Sequence, residues 1–306
     1  MHRSTFLFTT WALASLLAAG PAAAQSLRPG QGKLLLTGGV SSIDGAAGGG
    51  LTPWAVTAGY ATEGEFGATA HATRVRTQDY ALSTYGAAVG LDDRFELSLA
   101  RQDFDTGDNL APLGFGGLHL KMDIVGLKWR VAGDAIVDSD RWWPQIAVGA
   151  EFKRVRAGDF APVLTGVLGA KERGTDLYVS ATKLFLAQGV LVNGTLRATK
   201  ANQNGLLGFG GARSDSVKLQ PEVSLAWLLR RDLAVGAEAR TKPDHLHESA
   251  LGSGALAEDD WFDVFVAWAP TKHVSLTAAY VDLGRIAPAV QPKRQTGVYL
   301  SAQLAF

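Results

Sequence analysis

No cysteine occurs anywhere in the chain, which rules out disulfides and thiolate metal sites alike. Charge is thin as well: charged residues make up 19% of the 306 residues and sum to a formal net charge of zero. That balance excludes a basic surface able to hold nucleic acid in bulk. Long hydrophobic runs are missing from the body of the chain. One uncharged candidate, 184–196, is interrupted by Gln188, Gly189, Asn193 and Gly194, and a spanning helix needs about 20 apolar residues. Glycine is what the chain has in excess, with 36 residues, about 12% against an average near 7%.

The first residues carry an export signal. His2 and Arg3 make a short polar start, residues 6–17 are apolar, and Ala22-Ala23-Ala24 supplies small residues before Gln25. This pattern reads as a secretory signal peptide over 1–24, cleaved on export. Without Arg3, 29 − 1 = 28 basic residues face 29 acidic ones, so the mature chain stays near neutral. The expected organisation is a signal peptide over 1–24, a short periplasmic segment over 25–32 and a β-barrel over 33–306.

What remains alternates. Val217, Leu219, Val223, Leu225 and Trp227 share one face against Lys218, Gln220, Glu222 and Ser224; Phe262, Val264, Val266 and Trp268 oppose Asp263 and Ala267. A period of two with unlike faces is that of a strand between two environments. The segments run to about ten residues, the length that crosses a bilayer when tilted, whereas soluble strands are usually shorter. Tight turns at 91–93, 187–189 and 230–232 alternate with long connections at 105–117, 157–174, 201–215 and 243–259, as periplasmic turns and outer loops do in outer-membrane barrels. The last strand places Val298, Leu300, Ala302, Leu304 and Phe306 on one face, which predicts recognition by the barrel-assembly machinery.

Counting segments gives 33–40, 51–61, 65–75, 80–90, 95–104, 118–131, 143–156, 176–186, 190–200, 217–229, 233–242, 261–269, 273–283 and 296–306. The expected fold is therefore all-β: a transmembrane antiparallel up-and-down β-barrel of about 14 strands, with 12 as the rival count because 33–40 is short and glycine-rich residues follow it. A face switch is expected between Ala181 and Leu184. Tyr60, Phe95, Trp129, Trp142, Trp143, Phe185, Trp227, Trp268 and Phe306 form an expected aromatic belt at the periplasmic interface.

Two charged sets follow from this frame. The outer rim is expected to be basic, with Arg74, Arg76, Arg101, Arg154, Arg156, Lys200, Lys242 and Arg285 facing lipopolysaccharide phosphates or a channel mouth. The lumen is expected to carry Glu65, His71, Glu96, Lys121, Lys128, Glu151, Lys153, Arg197, Lys218, Glu222, Glu238, Arg240 and Asp263, with Asp123 and Arg130 beside them. Interleaved charges of both signs make either a wet pore or an interior closed by ion pairs. With only about eight residues ahead of the first candidate strand, any constriction is expected from an inward-folded loop, 157–174 or 41–50, rather than from an N-terminal plug domain.

Catalysis has little to stand on. His245-Leu246-His247-Glu248 offers two imidazoles and a carboxylate to a metal, though spaced histidines in a polar loop are more often solvated. Asp103, Asp105 and Asp108 evoke a calcium loop that fails because Gly107 takes a ligand position. The run Leu-Gly-Phe-Gly-Gly occurs at 113–117 and again at 207–211 and reads as turn-forming glycine rather than a phosphate cradle. No enzyme, cofactor or metal is expected.

The run Gly32-Lys33-Leu34-Leu35-Leu36-Thr37-Gly38-Gly39-Val40-Ser41-Ser42-Ile43-Asp44-Gly45, then Gly49-Gly50-Leu51-Thr52-Pro53-Trp54, with Ala70-His71-Ala72-Thr73-Arg74 and Leu99-Ala100-Arg101-Gln102-Asp103-Phe104, resembles a family of Gram-negative outer-membrane proteins known only as a domain of unknown function. The resemblance spans roughly 30–306. It implies an outer-membrane location and adds no activity, substrate or catalytic residue. The expected function is a passive or gated channel for small polar or anionic solutes. A non-conducting barrel that binds lipopolysaccharide or partner proteins is the alternative, and a barrel-borne hydrolase comes third.

Overall fold

The computed structural model of the protein describes residues 28–29, 33, 35–36, 38, 40–133 and 142–306. The signal peptide expected over 1–24, and most of the segment expected over 25–32, lie outside the described residues. Long two-faced segments pair edge to edge as β1 (Glu65–Thr77), β2 (Ala81–Leu91), β3 (Phe95–Asp105), β4 (His119–Ala132), β5 (Gln145–Arg156), β6 (Arg173–Phe185), β7 (Val190–Thr199), β8 (Lys218–Arg230), β9 (Leu233–Arg240), β10 (Trp261–Thr271), β11 (Val274–Asp282) and β12 (Thr296–Ala305). Every strand is antiparallel to its sequence neighbours, and β12 closes on β1 from Gly297 opposite Thr77 to Ala305 opposite Thr69. Closure leaves no strand edge unpaired, which lipid demands. The barrel has twelve strands, the rival count.

The outside of the barrel is apolar at mid-height. Leu97, Leu99, Val125, Leu127, Val223 and Leu225 all point outward and are exposed. A band of this size has no stable contact with water and fits a bilayer. Phe95, Trp129, Phe185, Trp227, Trp268 and Phe306 are exposed at the end that carries the C-terminus; Phe95 lies opposite Trp129 and stacks on it with ring centroids 6.1 Å apart. Trp142 and Trp143 add a tilted pair at 4.6 Å. These rings mark a membrane interface, and the short turns at the same end identify it as periplasmic. The chain is an outer-membrane β-barrel.

The two segments expected as the first strands are not wall. Residues 41–61 are all buried inside the barrel, so the strand expected at 51–61 is corrected to an internal plug; of the one expected at 33–40, the described residues Lys33, Leu35, Leu36, Gly38 and Val40 belong to no strand. The chain rises along the lumen, reverses over 45–50 and descends. Ile43 N–H donates to the Gly50 carbonyl at 2.9 Å, and Tyr60 N–H reaches the Phe306 carbonyl at 3.1 Å as the segment leaves the lumen. Tyr60 therefore belongs to the plug and not to the aromatic belt. Small residues make the fit possible. A Cβ on Gly48 would sit 2.3 Å from the Thr52 carbonyl oxygen, and Gly59, at φ +73°, would bring one to 2.5 Å from the Phe306 carbonyl oxygen.

The expected face switch in β6 does not occur either. Its burial alternates without interruption from Arg173 to Phe185, with Leu184 pointing inward.

A charge placed on the lipid face tests the assignment of that face. Leu225→Arg is expected to destabilise the barrel by ~2–4 kcal/mol, read from denaturant unfolding in lipid vesicles. An unchanged midpoint would place Leu225 outside the hydrocarbon.

Candidate functional site

The plug is held by its backbone. Near the periplasmic end, Glu96 of β3 accepts from Ala47 N–H at 3.1 Å and Ala58 N–H at 2.9 Å. Beside it, Lys128 of β4 donates to the Ala47 carbonyl at 2.7 Å and the Val56 carbonyl at 2.9 Å, and pairs with Glu96 at 3.2 Å. Across the lumen, Glu238 of β9 accepts from Leu51 N–H at 2.8 Å and Thr52 Oγ1 at 2.7 Å. Ser180 and Thr195 hydroxyls donate to the Pro53 carbonyl, while Thr182 Oγ1 accepts from Ala55 N–H at 2.8 Å. Buried peptide groups must be paired, and here the wall pairs them.

Higher in the lumen the contacts are ionic. Asp44, the single charged residue of 41–61, takes Arg240 at 2.9 Å, Lys153 at 3.5 Å and the Asn204 amide at 2.7 Å. Lys153 also pairs with Asp176 at 2.9 Å and Glu151 at 3.1 Å. Arg197 bridges Glu151 at 2.7 Å and Glu222 at 2.5 Å. Asn204 enters because the connection 200–217 dips into the mouth, with Gln203 and Asn204 both left-handed at φ 44° and 61°. Its side-chain oxygen accepts from Lys153 at 2.8 Å and from Arg240 at 2.7 Å. Wall, plug and outer loop meet in one charge cluster.

Above this cluster the interior turns apolar. A cavity of about 360 Å³ lies under the outer loops, floored by Ile43 and Leu51 of the plug and walled by Leu82, Phe104, Leu120, Trp261 and Val281. Its roof comes from the long connections. Leu164 and Leu168 are buried beneath a short helical stretch of 157–172, and Phe160 packs edge-on against Phe115 at 5.3 Å. The two Leu-Gly-Phe-Gly-Gly runs serve this roof, with left-handed glycines at 114, 117, 208 and 210 turning the loops. The roof is tied to the mouth by Glu258, which accepts Gln203 N–H on both carboxylate oxygens at 2.9 Å and pairs with Lys242 at 3.5 Å. Burial pushes the Glu258 carboxyl up to about 7 and pushes Lys242 down. At the rim, hydrogen bonds from Arg285 hold the Asp259 carboxyl well below the usual range.

The structure brings ten of the expected lumen residues together inside: His71, Glu96, Lys128, Glu151, Lys153, Arg197, Glu222, Glu238, Arg240 and Asp263 are all buried. Glu65 is half-buried at the periplasmic start of β1, holding Thr62. Lys218 sits at the exposed outer end of β8. Lys121 and Asp123 are corrected to the outside face, because it is Leu120, Met122 and Ile124 that turn inward. Arg130 is half-buried at the periplasmic turn, on Asp93 at 3.2 Å. Of the expected outer rim, Arg74, Arg76, Arg154 and Arg156 are exposed, and Arg101, Lys200 and Arg285 are half-exposed. Lys242 is a correction, since it lies buried on Glu258. Asp44, Asp176, Asn204 and Glu258 escaped the sequence reading. Asp44 alone left a signal, as a lone charge in a run of small residues.

The histidines do not assemble. Ser214 and His245 touch at 2.9 Å through Nδ1, but His245 Nε2 has no partner and His247 pairs instead with Asp244 at 3.1 Å. Among the described residues no group of three ligands is placed to hold a metal ion.

Comparison with known proteins gives a family and a build. The family described as protein of unknown function (DUF3034) matches residues 37–303. No curated protein matches the sequence. Among solved structures, the KdgM porin is similar at a TM-score of 0.49 and 10% identity, covering 78% of this chain and 99% of its own. Outer membrane phospholipase A from Escherichia coli follows at 0.41 and 12%, covering 80% and 94%, and the TodX monoaromatic hydrocarbon channel at 0.41 and 12%, covering 88% and 98%. None of these likenesses bears on what this chain does.

Two measurements test the site. Removing one partner of a buried ion cluster leaves its carboxylates unpaired, so Arg197→Met is expected to cost ~3–5 kcal/mol. A loss below ~1 kcal/mol in vesicle unfolding would mean an exposed pair. Glu258 holds its proton more tightly in the folded roof than in an open one. The stability this contributes is complete below its ordinary value near 4.5 and is lost as the pH rises through about 7. Protease nicking of 241–260 should therefore rise between those values in the native protein and stay flat in Glu258→Gln. The same rise in both proteins would assign it to another group.

Proposed function

The chain belongs to the DUF3034 family of proteins of unknown function, and on that premise we propose that it is a passive outer-membrane channel held shut by its own N-terminal segment and opened when that segment withdraws. The observation that carries this reading is that residues 41–61 fill the lumen while remaining outside the barrel's own hydrogen-bonded wall. The wall closes through β12 and β1 without them, so the plug can leave and the barrel stay whole. A fastening at the periplasmic end supports the same reading: Lys33 pairs with Asp93 at 2.7 Å, next to Thr57 and Arg130. The inward charges that suggested small polar or anionic solutes are engaged with the plug and with one another, so they favour gating over solute selection. Outward Arg74, Arg76, Arg154 and Arg156 support contact between the same barrel and lipopolysaccharide phosphates.

A reversible lock tests the gate. The hydroxyls of Thr52 in the plug and Ser224 in β8 are in hydrogen-bond contact, and the chain has no cysteine of its own. Thr52→Cys with Ser224→Cys therefore places two sulfurs at bonding distance. Oxidised protein should be silent in planar bilayers, and reduction should restore single-channel steps. Equal current in both states, including none in either, rejects withdrawal of the plug.

A further inference from the structure

We propose that the cavity beneath the outer loops is a binding site for a small neutral apolar molecule bearing a single hydrogen-bond acceptor. This names the cargo of the gated passage and rests on that reading, although occupancy of the cavity can be measured apart from it.

Three observations carry the proposal. The first is size: protein interiors hold few voids larger than a water molecule, and this one measures about 360 Å³. An apolar cavity of about 150 Å³ already stays dry and takes benzene, so a substituted ring or a branched chain fits here. The second is chemistry. Leu82, Phe104, Leu120, Leu206, Val281 and Ile286 present hydrocarbon from the wall and from two separate loops. Two of the polar groups at the margin are already occupied: Gln203 donates to the Ile286 carbonyl at 2.9 Å and accepts from Lys242 at 2.7 Å, and Thr106 donates to the Leu118 carbonyl at 3.0 Å.

The third is an unpaired donor at the Trp261 side of the cavity, besides the Tyr299 hydroxyl, which is also buried without a hydrogen-bond partner. The indole N–H of Trp261, a lining residue, is buried without a partner. A buried donor left unpaired is costly, and a ligand oxygen would satisfy it. Among the described residues no cation beside the cavity is free for a carboxylate. Lys242 is engaged by Glu258 and Gln203, and Arg240 by Asp44 and Glu222. An anionic amphiphile is accordingly disfavoured, because its charge would be buried unpaired.

Fluorine NMR on the full mature chain in nanodiscs gives the test, with para-fluoroacetophenone as probe and para-fluorotoluene and para-fluorobenzoate as controls. The ketone should bind saturably above empty nanodiscs, the toluene more weakly and the benzoate not at all. Val163→Trp, which adds bulk to a half-buried roof position lining the cavity, should abolish binding of both neutral probes. Trp261→Phe should weaken the ketone about 2- to 10-fold, the worth of one hydrogen bond, and leave the toluene unchanged.

No saturable excess, binding unaffected by Val163→Trp, preferred binding of the benzoate, or equal weakening of both neutral probes in Trp261→Phe overturns the proposal. The oxidised Thr52→Cys, Ser224→Cys protein separates the two readings, since the cavity lies above the lock. Binding without redox-dependent current sinks the gate alone, and redox-dependent current without binding sinks the site alone.

Discussion

Peptide groups sealed inside a barrel have no water to bond, and that constraint shapes most of what is seen in the lumen. Residues 41–61 form no ladder with the wall, so the N–H and C=O groups that they do not pair among themselves must be paired by side chains. Glu96, Lys128 and Glu238 are charged because a carboxylate or an ammonium reaches two peptides at once and bonds them more strongly than a neutral group would. Glu96 spans Ala47 and Ala58; Lys128 spans Ala47 and Val56. Each pair ties the reversal of the plug to its descending limb. Charges that would line a wet pore in an empty barrel are here the means by which a loop without secondary structure is kept in one place.

The wall was legible because lipid and lumen impose opposite chemistry on alternate residues. At β8 and β9 the outward Val223, Leu225 and Trp227 leave Glu222, Ser224, Glu238 and Arg240 no place but the interior. The strand count erred by two at one place, for one reason. Residues 33–61 hold enough apolar residues at spacing two (Leu51, Val56 and Ala58 among them) to imitate strands. From 41 to 61 the environment is protein on every side, and a fully buried segment carries no face signal. The glycines that read as a hindrance to a first strand are what allows the backbone to pass this close to the wall.

Lys121 shows where the alternation rule itself inverts. Greasy-out and polar-in holds only within the hydrocarbon. Beyond it β4 continues upward past the bilayer, and its outward Lys121 and Asp123 meet Arg156, Arg101 and Asp103 on neighbouring strands, where headgroups and water favour charge. Leu120, Met122 and Ile124 then point into a loop-capped core and toward the apolar cavity. A phase read at mid-membrane transfers correctly along the strand; a hydropathy read at its tip does not. The same inversion accounts for Leu184 at the periplasmic end of β6, which points inward on the correct phase while its hydropathy imitates a face switch.

The interior is thus two compartments, ionic below and apolar above, and the top of the plug and a single loop turn form the boundary between them. Gln203 faces the upper compartment through Ile286 and Lys242, and Asn204 faces the lower through Asp44, Lys153 and Arg240. Both hold left-handed backbone that only their contacts on each side maintain. A shift of Gln203 that frees this turn would also withdraw the Asn204 amide from Asp44, loosening the one charged residue of the plug. Under the proposed gating, coupling of that kind is reciprocal: a molecule packed in the upper compartment would steady the lower, and a plug drawn down from Arg240 would remove a support on which the roof's anchor rests. The ionic cluster stands where plug, wall and outer loop meet, so on that proposal it is the place where an occupant from outside would act on the plug.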